Sequence, residues 1–298
     1  MRLVRFDGDR IGAILGDLTD FAGVQPGAWP PIGMVSFIAR YCDDIQAIET
    51  AAMDAPRRPL GAVRLECPVD WPNKLIAYPA NYDAHTAEHR RSQHGLISTY
   101  TAAGQGFFLK ANSSLSGPSD PIILPPVPDR KVHHECELAI IIDRGGRSIS
   151  RDDALSHIFG YSCLVDVVIR GKEERVMRKS FDTFCPLGPW IVTADEIADP
   201  TSLELELTVN GEVRQRTNTR DLKVDIPGMI EMASSVMTLY PGDIIATGTP
   251  EGVGPIRVGD RLVSDVAGIG KLELDIVAGH EGNHSVWDKT SKHASQPL

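Results

Sequence analysis

Apolar positions near the start of the chain follow two different periods. Leu3–Phe6 and Ile11–Leu15 are short apolar runs separated by Asp7-Gly8-Asp9, a typical turn sequence, and they predict a β-hairpin. Further along, apolar residues recur every three or four positions, which predicts one amphipathic helix that ends before Pro56. The apolar face of this helix comprises Ile38, Cys42, Ile45, Ile48 and Ala52.

A cluster of prolines follows the predicted helix, at positions 56, 59, 68 and 72. Proline fixes the backbone angle φ and lacks an N–H donor, so this density predicts a linker without regular structure. We therefore divide the chain at about residue 70. Residues 1–70 form a small N-terminal α+β domain with its linker, and residues 71–298 form a larger domain.

The larger domain contains more strand-like runs than helical patterns. Ser150 with Asp153 predicts a capped helix ending near Gly160, and Asp225 with Pro227 predicts another that reaches about Tyr240. Strands and helices do not alternate regularly, which favours the α+β class over a doubly wound sheet. The predicted strands are Lys74–Tyr78, Phe107–Lys110, Glu135–Ile142, Ser162–Ile169, Trp190–Thr193, Leu203–Val209, Asp243–Thr247 and Leu272–Val277.

Three carboxylates fall within these apolar runs. Glu135 and Glu137 would project from the same face of a strand, and Asp166 lies within a second apolar run. Neighbouring buried carboxylates repel each other, and a hard divalent cation removes that conflict. The spacing alone leaves a second interpretation open, in which the glutamates lie on a solvent-exposed face and Asp166 caps a strand end.

Composition and charge limit the classes of partner. The chain has 298 residues and a net charge of −10, which argues against binding to nucleic acid or to anionic membranes. No apolar run approaches the ~18–20 residues of a membrane span, so a cytoplasmic protein is expected. Five widely spaced cysteines without a CxxC pair indicate neither a disulfide framework nor a structural zinc site.

Six segments with distinctive residue combinations occur in a fixed order, and the last reads Tyr-Pro-Gly-Asp-Ile-Ile-Ala-Thr-Gly-Thr-Pro-Glu-Gly-Val-Gly. The segments are Ala80–Glu88, Gly106–Lys110, Glu135–Ala139, Lys179–Trp190, Val209–Val213 and Tyr240–Gly254. This series resembles the fumarylacetoacetate hydrolase superfamily over about residues 72–278. Residues 1–55 resemble the N-terminal domain of that superfamily more weakly.

The resemblance implies a fold, an assembly and a metal site. The fold would consist of layered mixed β-sheets, a β-roll, with few helices, and the protein would be a homodimer. Glu135, Glu137 and Asp166 match the carboxylates that bind Mg²⁺ or Mn²⁺ in the superfamily. Lys179 matches a lysine that lines the same site and is predicted to be catalytic.

The resemblance also implies the remaining site residues. His85 and Glu88 match a catalytic histidine–glutamate pair on a lid segment, and Thr249 matches a substrate-binding threonine. Tyr82 and Arg170 are further predicted substrate-binding residues. Where the superfamily often reads Asn-Asp-Val-Ser-Ala-Arg-Asp, residues 165–171 read Val-Asp-Val-Val-Ile-Arg-Gly. The metal-binding aspartate and the arginine are kept, but the polar neighbours are not, so the substrate stays open.

The predicted reaction is hydrolysis of a carbon–carbon bond in a small 1,3-dicarbonyl oxo-acid. An acylpyruvate or fumarylpyruvate from the breakdown of aromatic compounds would be the substrate. The metal would stabilise enolate charge, and His85, oriented by Glu88, would take a proton from water. Lys179 would supply positive charge to the substrate carboxylate or the enolate.

Several alternatives to this reaction stay open. The same metal–enolate chemistry would serve an isomerase of the 2-hydroxyhepta-2,4-diene-1,7-dioate type or an oxaloacetate decarboxylase. His85, Glu88 and His89 also fit the HxxEH pattern of inverted zinc proteases, although the nearby Pro79 argues against a long helix there. A non-catalytic ligand-binding homologue is the last alternative, and the retained base, glutamate and lysine argue against it.

Overall fold

β-Strands dominate the regular structure of the protein. The computed structural model describes residues 1–8, 10–21, 33–41, 45–91, 101–127 and 130–280. Within these ranges lie six α-helices, which are α1 Met34–Tyr41, α2 Ile45–Asp54, α3 Asp83–Arg91, α4 Ala102–Gln105, α5 Arg175–Lys179 and α6 Ile226–Val236.

The same ranges contain nineteen β-strands, most of them short. They are β1 Arg2–Phe6, β2 Arg10–Leu15, β3 Asp17–Asp20, β4 Arg57–Arg58, β5 Leu75–Ala77, β6 Phe108–Lys110, β7 Leu115–Ser116, β8 Ile122–Leu124, β9 Val132–His134, β10 Cys136–Ile142, β11 Ile158–Val165, β12 Val168–Ile169, β13 Cys185–Thr193, β14 Glu204–Val209, β15 Glu212–Asn218, β16 Ile244–Ala246, β17 Gly254–Ile256, β18 Arg261–Val266 and β19 Gly270–Ala278.

The strands form three sheets. The largest has eleven strands in the order β4-β3-β2-β1-β13-β11-β10-β16-β5-β6, with β7 beside β13. A five-stranded sheet follows the order β15-β14-β18-β19-β8, and a three-stranded sheet follows β12-β9-β17. Most pairs are antiparallel, whereas β5 with β16, β7 with β13 and β8 with β19 are parallel. The predicted α+β class, with layered mixed sheets and few helices, is confirmed.

The central strand β10 is buried on both of its faces. Leu138 and Ile140 belong to the main core with residues of the five-stranded sheet such as Leu207. Ala139 and Ile141 point the other way, into a second core that includes α1 and α2. Alternate residues of a strand face opposite sides of its sheet, so burial of both sides explains why this segment reads as a continuous apolar run.

The N-terminal strands extend the large sheet. The predicted hairpin is confirmed, since β1 and β2 are antiparallel with Phe6 opposite Arg10. β1 also pairs with β13, where Leu3 lies opposite Ile191. The division into domains at residue 70 stays a prediction.

Two helix predictions need correction. The apolar face between positions 38 and 52 belongs to two helices, α1 and α2, and residues 42–44 between them lie outside the described ranges. Ser150 and Asp153 do make the predicted capping contact, with Oγ to Oδ2 at 2.7 Å. However, only a 3₁₀ turn, Ala154–His157, follows, because β11 starts at Ile158 and pairs with both β10 and β13.

Two further boundaries differ from the predictions. The helix that Asp225 caps ends at Val236 rather than near Tyr240. The run predicted as one strand from Ser162 to Ile169 is two strands, β11 and β12, and Asp166 lies at the break between them. No helix in the described ranges is both long and apolar enough to cross a membrane.

Candidate metal centre

Three buried carboxylates meet at one end of β10 and β11. One oxygen from each of Glu135, Glu137 and Asp166 lies within 4.8 Å of the others. The strand register produces this cluster, because Cys136 lies opposite Val165 and the Asp166 amide donates to the Glu135 carbonyl at 2.9 Å. We call these three residues the carboxylate cluster. The predicted convergence of two strands on one point is therefore present.

The two glutamates of the cluster differ in their electrostatic surroundings. Burial and the neighbouring charge of Asp166 raise the pKa of Glu137 well above its usual value, although the Gly248 amide donates to its Oε2 at 2.8 Å. Burial also acts to raise the pKa of Glu135, but the positive charges of Lys179 and Arg170 reverse this and lower it. The charge of Lys179 also acts to lower the pKa of Glu137, but it does not outweigh burial and the neighbouring carboxylates.

Two cationic side chains predicted to line the site contact Glu135. Lys179, the last residue of α5, places Nζ 2.6 Å from Oε2 of Glu135 and also pairs with Asp166. Burial acts to lower the pKa of Lys179, but the surrounding carboxylates outweigh it and raise that pKa. Arg170 places Nη2 3.5 Å from Oε1 of Glu135 and donates from Nε to Nδ1 of His133 at 2.9 Å.

A third cation, Lys110, was not predicted as a site residue. It ends β6, its side chain is fully buried, and Nζ lies 2.5 Å from Oδ1 of Asp166. The same ammonium donates to the Phe184 carbonyl at 2.8 Å. The segment Gly106–Lys110 carried part of the family resemblance, and a lysine that ends an apolar strand requires a buried partner. That requirement was the signal for its role.

The predicted histidine–glutamate pair lies on α3 beside the carboxylate cluster. His85 is 4% exposed, and its Nδ1 lies 3.6 Å from Oε2 of Glu88 on the same helical face. The interaction with His85 is one of those that lower the pKa of Glu135, so the imidazole lies near the carboxylate cluster. Both carboxylate oxygens of Glu88 accept from the Gly252 amide, at 3.2 and 3.1 Å, so the helix is joined to the loop that follows β16.

That loop, residues 247–253, connects β16 to β17 and borders the carboxylate cluster. Thr247 continues the pairing with β10, since its amide donates to the Leu138 carbonyl at 3.1 Å. The next residue, Gly248, has a φ of 94° and binds Glu137. A Cβ on Gly248 would lie 2.8 Å from the Tyr78 carbonyl oxygen, so only glycine fits here. Thr249 is 2% exposed and lies next along the loop.

Tyr82, predicted to bind substrate, is buried in the main core. It is 2% exposed and forms a backbone bridge with Leu222. Burial, together with the charges of Cys136 and Glu137, raises the pKa of its hydroxyl. A role in substrate binding stays a prediction.

The sequence of residues 74–277 matches the model of the fumarylacetoacetate (FAA) hydrolase C-terminal family. That match spans more than half of the 298-residue chain. The chain belongs to the fumarylacetoacetate hydrolase family. The predicted resemblance is therefore confirmed, and the carboxylate cluster lies inside the matched region.

Three relatives in this family are similar over most of their length. Maleylpyruvate hydrolase of Aquipseudomonas alcaligenes is 42% identical over 285 residues, which is 93% of this chain and 99% of the relative. The crystal structure of maleylpyruvate hydrolase from Sphingobium sp. SYK-6 in complex with manganese(II) ion and pyruvate is 51% identical, with a TM-score of 0.83. The match covers 94% of this chain and 100% of the Sphingobium chain.

The third relative is named for a different reaction. The structure of 5-carboxymethyl-2-hydroxymuconate delta-isomerase from Mycobacterium smegmatis is 37% identical, with a TM-score of 0.71. The match covers 94% of this chain and 100% of the isomerase chain. Membership of the fumarylacetoacetate hydrolase family therefore leaves the reaction to be argued from the site.

The carboxylate cluster provides the type of donor atoms that a hard divalent cation prefers. All three donors are carboxylate oxygens, and oxygen donors suit Mg²⁺ and Mn²⁺. A cation would also relieve the repulsion that raises the pKa of Glu137. The zinc alternative rests on His85, Glu88 and His89, and the side chain of His89 lies outside the described residues.

Replacing Lys110 by Met tests how Asp166 is held in place. Without the ammonium, Asp166 loses the contact that fixes Oδ1, and its carboxylate is then oriented by Lys179 at Oδ2 only. Loss of a contact that orients a metal ligand costs about 10–100-fold in metal affinity, and we expect a loss of that size for Mn²⁺. Isothermal titration calorimetry would measure it. The matched control is Lys271→Met, an exposed lysine on β19, and equal Mn²⁺ affinity in both variants would contradict the role of Lys110.

Proposed function

We propose that this protein is a metal-dependent hydrolase that cleaves the carbon–carbon bond of a small acylpyruvate, such as maleylpyruvate or fumarylpyruvate. The observation that carries this proposal is the position of the carboxylate cluster beside both Lys179 and the His85–Glu88 pair. The similarity to two maleylpyruvate hydrolases supports it. Mg²⁺ and Mn²⁺ are the candidate metals, bound by Glu135, Glu137 and Asp166.

The charges around the carboxylate cluster suit an anionic substrate. The net charge of the protein is −10, so an anion needs local positive charge to bind. Lys110, Lys179 and Arg170 equal the three carboxylates in formal charge, and they contact Asp166 or Glu135. A divalent cation adds two positive charges to this balanced set. A substrate with two carboxylates, as in maleylpyruvate and fumarylpyruvate, would compensate them.

The proposed reaction adds water across a carbon–carbon bond. His85 takes a proton from water, and the hydroxide oxygen attacks the carbonyl carbon distal to the pyruvyl unit. The bond from that carbon breaks, and its electron pair passes to the pyruvyl methylene carbon as an enolate. When bound, the metal supplies a Lewis acid that stabilises this enolate. Protonation of the methylene carbon gives pyruvate and a carboxylic acid.

Each protein side chain has a proposed role in this scheme. Glu88 orients the His85 imidazole while it accepts from the Gly252 amide. Lys179 and Arg170 bind substrate carboxylate or enolate charge, since both lie at the cluster. Thr249 donates a hydrogen bond from the 247–253 loop. We also propose that the protein is a cytoplasmic homodimer.

A second candidate reaction is isomerisation of a hydroxydienedioate. The similarity to 5-carboxymethyl-2-hydroxymuconate delta-isomerase favours it, because proton transfer through an enolate needs the same cluster. Isomerisation consumes no water, but it also moves a proton and could use the same base. The higher identity to the two maleylpyruvate hydrolases, 42% and 51% against 37% for the isomerase, favours hydrolysis.

An assay with product identification separates these reactions. The metal-stripped protein is reconstituted with Mn²⁺ or Mg²⁺ and offered maleylpyruvate, fumarylpyruvate, simple acylpyruvates, oxaloacetate and 2-hydroxyhepta-2,4-diene-1,7-dioate. We expect pyruvate and a dicarboxylic acid in equal amounts from maleylpyruvate or fumarylpyruvate, detected by NMR. An isomer of unchanged mass would indicate an isomerase, and carbon dioxide from oxaloacetate would indicate a decarboxylase. Either result without hydrolysis would contradict the proposal.

A further inference from the structure

Gln215 connects the five-stranded sheet to the loop beside the carboxylate cluster. It lies on β15 and is 2% exposed. Its Oε1 accepts from the Cys136 amide at 2.9 Å and lies 3.0 Å from Nδ1 of His134. Its Nε2 lies 2.8 Å from Oγ1 of Thr249 and donates to the Pro250 carbonyl at 3.0 Å. Both ends of the side-chain amide therefore have two partners.

Only one orientation of the Gln215 side-chain amide is consistent with all of its hydrogen bonds. The Cys136 amide can only donate, so the amide atom facing it must be oxygen. The Pro250 carbonyl can only accept, so the atom facing it must be nitrogen. These two backbone partners fix the orientation of the amide independently of each other. It follows that Nε2 donates to the Thr249 hydroxyl oxygen, and that His134 carries its hydrogen on Nδ1.

This direction determines what the Thr249 hydroxyl can do. Because its oxygen accepts from Gln215, its own proton must point elsewhere. Among the described residues, no protein acceptor takes that proton, although Thr249 is 2% exposed. Thr249 directly follows Gly248, whose amide binds Glu137 of the carboxylate cluster. The hydroxyl is thus held as a donor next to the candidate metal centre.

Backbone contact keeps the loop and β15 in register. A Cβ on Gly252 would lie 1.9 Å from the Arg214 carbonyl oxygen, and the φ of Gly252 is 88°. The loop therefore lies directly against the residue before Gln215, as only glycine allows. Close backbone packing leaves the Gln215 amide little freedom to choose other partners.

We propose that Gln215 is a positioning residue that holds the Thr249 hydroxyl as a hydrogen-bond donor to the oxo-acid. This inference rests on the proposed function. Gln215 does not touch the substrate. It acts through Thr249, whose proton reaches the substrate oxygen that gains negative charge as the carbon–carbon bond breaks.

The test is a double-mutant cycle of Gln215→Met and Thr249→Val. Met keeps the volume of Gln but neither donates nor accepts strongly, so the Thr249 hydroxyl becomes free to rotate. Removing a donor to a developing oxyanion costs about 10²–10³-fold in kcat, which we expect for Thr249→Val. We expect about a tenfold loss of kcat for Gln215→Met, since the hydroxyl remains. The double variant should be no slower than Thr249→Val alone.

Binding of oxalate with Mn²⁺ provides a readout that does not depend on turnover. Oxalate is a planar dianion that resembles the enolate of pyruvate, and calorimetry gives its Kd. We expect Gln215→Met and Thr249→Val each to bind oxalate more weakly while their Mn²⁺ affinity is unchanged. Thr249→Ser, which keeps the hydroxyl, should retain both the oxalate affinity and the kcat of the wild type. Gln46→Met, an exposed residue on α2, is the matched control. If Gln215→Met does not fold, Gln215→Asn is the second variant. The Asn side chain is too short to reach both pairs of partners, so it should show the same losses.

Two results would overturn the role of Gln215. One is wild-type kcat and oxalate affinity in the Gln215 variant, and the other is additive losses in the double variant. The oxalate measurement decides the inference even if no acylpyruvate is hydrolysed. Lack of turnover in the wild-type protein, together with coupled losses of oxalate binding, would contradict the proposed reaction and leave the role of Gln215 supported.

Discussion

Glu137→Gln is expected to abolish Mn²⁺ binding and to reduce kcat by about 10³-fold or more while the metal-free protein stays folded. Loss of a Lewis acid removes several kcal/mol of transition-state stabilisation, and each 1.4 kcal/mol is about tenfold in rate. Burial and Asp166 raise the pKa of Glu137 well above its usual value, which favours the neutral carboxyl that an amide resembles. The Gln oxygen can still accept from the Gly248 amide.

Glu135→Gln provides the informative contrast. The pKa of Glu135 is lowered despite its burial, and its Oε2 lies 2.6 Å from Nζ of Lys179. Replacing this charged carboxylate leaves a buried ammonium with one anionic partner fewer, which destabilises the fold. We therefore expect Glu135→Gln to lower the melting temperature of the metal-free protein more than Glu137→Gln does. Both variants should lose the metal.

Thermal unfolding with and without Mn²⁺ measures both effects in one experiment. A ligand at one hundred times its Kd stabilises the folded state by about 2.7 kcal/mol, so the wild-type melting temperature should rise when Mn²⁺ is added. The rise should vanish in Glu137→Gln and persist in the control Glu212→Gln, whose side chain is 71% exposed. A Glu137→Gln protein that still gains stability from Mn²⁺ would disprove the metal site.

The carboxylate cluster was predictable because each part of it has a local signal. Glu135 and Glu137 are two positions apart in an apolar run, so they lie on the same face of any β-strand that contains them both. Asp166 is an acidic residue within an apolar segment, which requires a partner. The structure brings these residues together through the antiparallel pairing of β10 and β11.

Gln215 had no such local signal, and the signal at Lys110 did not identify its partner. Gln215 lies between Arg214 and Arg216 on an edge strand whose neighbouring side chains are mostly exposed, so its own burial cannot be inferred from the local pattern. Its partners arise from packing between two sheets. Lys110 could be recognised as buried, but its partner Asp166 lies 56 residues away, and only the tertiary fold shows that pairing.

The errors in helix prediction also have a tertiary cause. Ser150 and Asp153 make a correct local capping contact, yet the chain leaves the helical conformation after a single turn. The residues that follow join β11, between β10 and β13, and are completely buried there. Burial in a central strand outweighs a capping contact of about 1 kcal/mol.

Replacing His85 by Ala is expected to lower kcat for hydrolysis by about 10³-fold, within the range typical of a general base. Metal binding should change little, because His85 is not part of the carboxylate cluster. Glu88→Gln should cost about tenfold, since the amide oxygen can still accept from Gly252 but no longer stabilises a protonated imidazole. The matched control is His157→Ala, at the opposite end of β11 from Asp166.

Added imidazole distinguishes loss of a base from loss of structure. Replacing His85 by Ala leaves a cavity beside the site. Free imidazole that enters this cavity can take the proton from water. We expect imidazole to restore part of the kcat of His85→Ala, with a saturable concentration dependence, and to leave Glu137→Gln inactive. A His85→Ala protein that hydrolyses its substrate at the wild-type rate would remove His85 from the mechanism. Loss of Mn²⁺ affinity in parallel with kcat would instead assign His85 to the metal site.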